Sequence, residues 1–344
     1  MVKPKITYLI GDLHMGGWPT FLINLCMELC SDFEFSFIAV DNKNINSRFH
    51  QLGRAEYLGS NFEAINHRLI TQKPDIVQFG NKEWLGKIAK NVPNPPIVIE
   101  RTAGPRSCNI GRSSVDYVVA SNEGTVPLIR KNYQGPLEVI RNGLDVDYYK
   151  SVQPDRLHFK PDDFVVCYCA RMGGIGQGFE VLLNAVLKAR KTHDIKLVLI
   201  GDKPEHSAED IRPKLRKLAK PMGDDCVFTG ALDNPAPIMA GANLYVCSAF
   251  HHGISNSIIE AAALGKPVVA TDVGQTNEIV LADTSGILVK PNDSNSIARA
   301  IIKLKDSPKK CQQFGQAGRD LVEREFNVKK QALRYKELYE RLLA

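Results

Sequence analysis

Short apolar runs rich in β-branched residues alternate along this chain with longer stretches whose apolar residues recur every three or four positions. The short runs lie at 5–10, 35–40, 76–79, 97–99 and 117–120, and again at 164–170, 196–200, 243–247 and 268–271. Each is too short and too β-branched for a helix and predicts a strand. Between them Phe21, Leu22, Leu25, Cys26 and Leu29 repeat at helical spacing, as do Val181, Leu182, Ala185 and Val186. Further helices are expected over 61–72, 84–90 and 296–304, and over 327–343 with Tyr335, Leu338, Tyr339 and Leu342 on one stripe. Alternating strand and helix predicts an α/β fold with parallel, doubly wound sheets. The 344 residues exceed one ordinary core and imply two domains.

One stretch, 247–278, carries the densest signals. After the strand ending at Cys247, His251-His252-Gly253 breaks the apolar run. Ser255, Asn256 and Ser257 are good N-cap types, and the apolar residues to Leu264 follow. Gly265 and Pro267 then end the helix. A loop feeding a helix N-terminus is an anion site, and Glu260 lies one turn in, where its carboxylate reaches ligand hydroxyls. A phosphate on the amides with a polyol on Glu260 is one reading. An ordinary, well-capped βαβ unit is the other. Elsewhere the loop from Gly11 to Gly17 joins a strand to a helix that has Pro19 in its first turn. It matches neither GxGxxG nor a P-loop. Asn142-Gly143 is a turn pair that tolerates positive φ.

Composition narrows the field. Hydrophobic residues make up 44% and charged ones 24%, as in a globular protein. The net charge of +6 is mild. The basic run 211–220 has apolar residues at helical spacing and reads as a solvated helix face, with contact to anionic lipid as the alternative. Basic patches interleaved with aromatics are lacking, so nucleic acid is not an expected partner. No run of about 18 apolar residues occurs and no leader pattern precedes the first strand, so a cytoplasmic protein is expected, at most peripheral to the inner face of a membrane. The eight cysteines include no CxxC and read as buried free thiols; Cys26 and Cys30 share a helix, Cys167 and Cys169 a strand face. Neither a metal nor a cofactor is expected.

The pattern from Gly253 to Glu260, the Ala-rich helix, Gly265-Lys266-Pro267-Val268-Val269-Ala270, and then Gly274 and Glu278 resembles the donor site of retaining nucleotide-sugar glycosyltransferases of the glycogen-synthase-like group, family 4-like, with the GT-B fold. The resemblance covers most of the chain and is strongest over 139–291. It implies two Rossmann-like domains facing a cleft, 1–153 on the acceptor side and 154–326 binding the donor nucleotide, with a helix at 327–344 crossing back to the first. It also implies transfer of a sugar, with retention and without metal, from a nucleoside-diphosphate sugar to a carbohydrate, lipid-linked or small-molecule acceptor.

The family's residues carry over one by one. Arg171 and Gln177 would meet the diphosphate with Gly253, Ile254 and the amides of Ser255, Asn256 and Ser257. Gln177 stands where relatives have Lys and brings no charge. Glu260 would take the ribose hydroxyls, and the loop at Leu232 the base. Gly16 and Gly17 match a Gly-Gly pair near the phosphates, although Trp18-Pro19-Thr20 replaces the small residue and Glu that follow it in relatives. His252 stands where relatives carry a first Glu. It would bond the sugar, making His252, Arg171 and Glu260 the catalytic set. Relatives often carry a His after the strand at 97–99; here Arg101 and Arg106 follow, with a cleft-facing and a surface role both open. Two rival functions stay open, a GT-B nucleotide-sugar binder with impaired catalysis and a nucleotide-sugar epimerase or hydrolase.

Overall fold

The computed structural model describes residues 2–14, 17–80, 83–102, 114–173, 175–203, 209–250 and 255–344. It divides into two compact units, Met1–Asp145 with Glu325–Ala344, and Val146–Arg324.

The first unit runs β1 (Lys5–Ile10), α1 (Gly17–Leu29), β2 (Glu34–Ala39), α2 (Ser47–Leu52), β3 (Gly53–Tyr57), α3 (Phe62–Gln72), β4 (Ile76–Gly80), α4 (Glu83–Lys90), β5 (Ile97–Thr102), β6 (Tyr117–Ala120), α5 (Val126–Ile129) and β7 (Leu137–Val139). The second runs α6 (Val146–Ser151), β8 (Val165–Cys169), α7 (Phe179–Ala189), β9 (Lys196–Ile200), α8 (Arg212–Ala219), β10 (Cys226–Gly230), α9 (Ala236–Gly241), β11 (Leu244–Cys247), α10 (Asn256–Ala263), β12 (Val268–Thr271), β13 (Gly286–Val289) and α11 (Ser294–Lys305). Two further helices follow, α12 (Pro308–Glu325) and α13 (Val328–Leu343), the latter completing the first unit.

Both sheets are parallel, in the orders β3-β2-β1-β4-β5-β6-β7 and β10-β9-β8-β11-β12-β13. Helices cover both faces, so the central strands are buried throughout. Along β1, Ile6, Tyr8 and Ile10 face a core with Phe35, Phe37, Phe21, Leu25, Tyr335 and Tyr339. Leu9 faces the opposite core, with Val77, Phe79, Ile65 and Leu85. That is the two-residue alternation of a strand. The stripe on α13 is borne out, since Tyr335, Leu338 and Tyr339 are fully buried. It carries a buried polar relay as well: Tyr339 hydroxyl donates to Gln78 Oε1 at 2.6 Å and pairs with Tyr8 hydroxyl at 2.9 Å.

Three expectations are corrected. Asn142 and Gly143 do not take positive φ. Gly143 is small because α13 begins against it, where an added Cβ would come within 2.4 Å of Val328 Cα. Asn142 Oδ1 instead accepts from Arg101. Arg101 belongs neither to a cleft nor to the surface; among the described residues it is the largest fully buried side chain, while Arg106 lies outside them. Cys30 is exposed and Cys169, Cys226 and Cys311 are half-buried rather than buried; Cys26, Cys167 and Cys247 are buried free thiols.

Candidate functional site

In the second unit the sheet order reverses between β8 and β11. Ligands of doubly wound sheets bind beyond the carboxyl ends of the strands at such a point, so the loops after β8 and β11 frame the site. They are stitched together. Phe250 N–H donates to Gly176 O at 2.9 Å, and Ser248 hydroxyl donates to Gly178 O at 2.9 Å. Gly178 has φ 69°, and an added Cβ would stand 1.9 Å from Ser248 O. Only glycine allows both the left-handed backbone and that approach. Thr271 hydroxyl bonds Ala249 O from the end of β12.

Arg171 is exposed just beyond β8. Gln177 ends the 3-10 turn Ile175–Gln177, and Tyr168 hydroxyl donates to its backbone O at 2.8 Å and reaches its Oε1 at 3.4 Å. The carboxamide oxygen thereby accepts from Tyr168, and the NH2 keeps its two donors.

Ser255 is the N-cap of α10, but the expected capping bond is not made. Its hydroxyl pairs with Ser257 Oγ at 3.1 Å and caps none of the first-turn amides. At the other end Gly265 N–H donates to Ala262 O and Lys266 N–H to Ala261 O, the paired bonds of a Schellman stop. Glu260 lies on this helix, partly exposed as a residue, with its carboxyl shut in. Burial pushes that carboxyl up to about 7. The same charge helps raise the Cys169 thiol, after the larger effect of burial, which places Glu260 beside the end of β8.

The structure therefore brings Arg171, Gln177, Ser255, Asn256, Ser257 and Glu260 to one edge of one sheet. Leu232, partly exposed, follows β10 on the same edge. Gly17 is the first residue of α1 in the other unit. The assignments to Gly16, His252, Gly253 and Ile254 fall outside the described residues. Sequence reasoning missed Tyr168 and Ser248, which hold the loops, and Gln275, a buried amide with an unpartnered Oε1 in the loop after β12. A polar residue interrupting an apolar strand or standing just past one was the available signal. Among the described residues no group of three His, Cys, Asp or Glu side chains could hold a metal ion, and no helix is long and apolar enough to cross a membrane.

Comparison with known proteins gives likenesses of three kinds. The family model "Glycosyl transferases group 1" matches residues 163–307. An uncharacterized glycosyltransferase of Methanocaldococcus jannaschii is 28% identical over 237 residues, which are 66% of this chain and 59% of that protein. Among solved structures, Anabaena HepE in complex with UDP and glucose superposes with a TM-score of 0.81 at 17% identity, covering 98% of this chain and 99% of that one. Sucrose-phosphate synthase of Thermosynechococcus elongatus superposes with a TM-score of 0.82 at 20% identity, with 99% of each chain covered. The stretch that matches the group 1 glycosyl transferase model holds the reversal point between β8 and β11, and the chain as a whole has the GT-B fold.

Proposed function

We propose that this protein is a glycosyltransferase that moves a sugar from a nucleoside-diphosphate sugar to an acceptor hydroxyl with retention at the anomeric carbon. The observation that carries the reading is the single edge shared by Arg171, Gln177, the first turn of α10 and Glu260. A diphosphate suits the first three, because a helix N-terminus and a guanidinium both favour negative charge. A ribose diol suits Glu260, whose carboxylate accepts two hydroxyl hydrogens. Stabilisation of the leaving diphosphate by Arg171 and fixed amides supplies what a metal supplies elsewhere, so the transfer is proposed to be metal-independent. The acceptor is a carbohydrate, a lipid-linked sugar or a small molecule. UDP in the Anabaena neighbour supports a nucleotide donor. The buried free thiols fit a reducing, cytoplasmic setting.

Calorimetric titration with UDP, GDP, ADP and TDP tests the reading. One of them should bind, and Glu260→Ala should weaken it by about 10- to 100-fold, the worth of a charged hydrogen bond. Failure of all four, or an unchanged affinity in the folded variant, would remove the assignment. Gln177 in place of a cation favours a second reading, a nucleotide-sugar binder without transfer. Labelled donor that is bound yet never transferred to any acceptor or to water would decide for it.

A further inference from the structure

The first unit has a reversal point of its own, between β1 and β4, and one side chain stands over it. Trp18, in the first turn of α1, lies on the last residue of β4, Gly80. An added Cβ on Gly80 would come to 3.1 Å from Trp18 Cζ2. Three groups hold the ring. Phe21 stacks parallel to it with centroids 5.0 Å apart. The Arg101 guanidinium carbon sits 4.4 Å from the Trp18 centroid and 3.9 Å from that of Phe21. Gly80 forms the floor. Phe21 and Arg101 are buried, whereas Trp18 is partly exposed.

Arg101 packs against the indole from within the core. It is a fully buried cation whose side-chain partners are neutral: Asn142 Oδ1 accepts from it, Tyr335 faces it, and its Nε has no partner. Burying an arginine this way is costly, and the two aromatic faces offset part of the cost. Stability alone would be served as well by an apolar side chain. What the arrangement secures is an indole fixed in one orientation at the carboxyl edge of a doubly wound sheet, the place where such sheets take ligands.

We infer that Trp18 is a stacking platform for a pyranose ring of the acceptor, with Arg101 as the positioning residue that fixes it. This rests on the glycosyl-transfer reading above and specifies its acceptor as a carbohydrate. A pyranose presents a face of C–H groups to an aromatic ring and keeps its hydroxyls at the rim, and an amphipathic indole matches that pattern.

The chain has two tryptophans, so Trp84→Phe leaves Trp18 as the only indole emitter. That variant is titrated with methyl α-D-glucopyranoside, methyl α-D-mannopyranoside, methyl β-D-galactopyranoside and uridine, and ring contact is read in parallel by saturation-transfer NMR. At least one glycoside should shift Trp18 emission saturably. Trp18→Leu should weaken that glycoside about tenfold, the worth of one stacked ring, while nucleoside-diphosphate affinity is kept. Trp18→Phe should retain most glycoside binding, and Arg101→Met should reduce it with the donor affinity unmoved. The inference falls if no glycoside perturbs Trp18, if Trp18→Leu binds glycosides as before, or if uridine rather than a glycoside produces the shift. Failure of every nucleoside diphosphate to bind would strike the function proposed above instead, and the glycoside titration would still decide on Trp18.

Discussion

In both units the sheet reverses beside its first strand, β1 in one and β8 in the other, yet the two reversal points are furnished in opposite ways. Beside β8 the polar groups are left with capacity to spare. Arg171 is exposed, the α10 amides lack a cap from Ser255, and Glu260 is desolvated. Beside β1 the ground is already occupied by an indole, with a buried guanidinium behind it. The same architecture thus yields one edge suited to anions and hydroxyls and another suited to a ring. The sheet sets where a ligand can sit, and the residues in the first turn past each strand set what kind.

Substitutions at Gly178, Glu260 and Tyr339 test the difference between the two edges. Gly178→Ala should have the largest effect. It forces a left-handed alanine into the Ser248 carbonyl and parts the two stitched loops, at a cost of about 2–4 kcal/mol. Thermal or denaturant unfolding should report it, together with a loss of nucleotide affinity. Gly80→Ala, its counterpart in the other unit, has no such backbone constraint and should leave that affinity untouched.

Next comes Glu260→Gln. Burial lifts this carboxyl from 4.5 to about 7, so the native state holds a proton that the unfolded chain has already released. The associated stability is full below pH 4.5 and is lost as pH climbs through about 7. The glutamine variant should lack that decline and be more stable at pH 8 by about 1–3 kcal/mol. Its nucleotide affinity should be weak at every pH. In the native protein, affinity should rise across pH 7 as the acceptor carboxylate forms. Parallel pH profiles for the two proteins would rule out Glu260 as the ribose ligand.

The smallest effect belongs to Tyr339→Phe. It removes the hydroxyl linking Tyr8 to Gln78 and should cost about 1–2 kcal/mol, leaving donor binding in the other unit unchanged. A loss of nucleotide affinity would show that the two edges are energetically coupled.

Much of this was legible in the sequence. Buried strands announced themselves because both their faces are covered, which makes them nearly continuous apolar runs, as at β1 and β8. Helix α10 was legible because Gly265 and Pro267 stand where a helix ends, whereas the proposed donor role of its edge came from the family resemblance and not from helix geometry. What escaped notice depends on contacts far away in the chain. β3 is an edge strand with alternating partial burial, so GRAEY carries almost no apolar signal. α12 contains Gly315 and Gly318, which argue against a helix on propensity. Gly315 is there because the backbone of Gly265 approaches it, and an added Cβ would meet Gly265 O at 2.0 Å. Arg101 could not be read as a core residue, since its partners Trp18, Asn142 and Tyr335 come from three separate segments.

The late position of α13 has a consequence during synthesis. The strands of the first sheet are complete once Val139 has been made, but the helix that covers Tyr8, Phe33 and Phe35 begins only at Val328. At ~5–20 residues per second the ribosome needs roughly 10–40 s to cross that interval. The second unit is contiguous in sequence and can finish first, while the earlier one waits with an apolar flank uncovered. A nascent chain of this design calls for chaperone protection at its N-terminal half, and a premature stop even at Asn327 would leave the older half unfinished and the younger one intact.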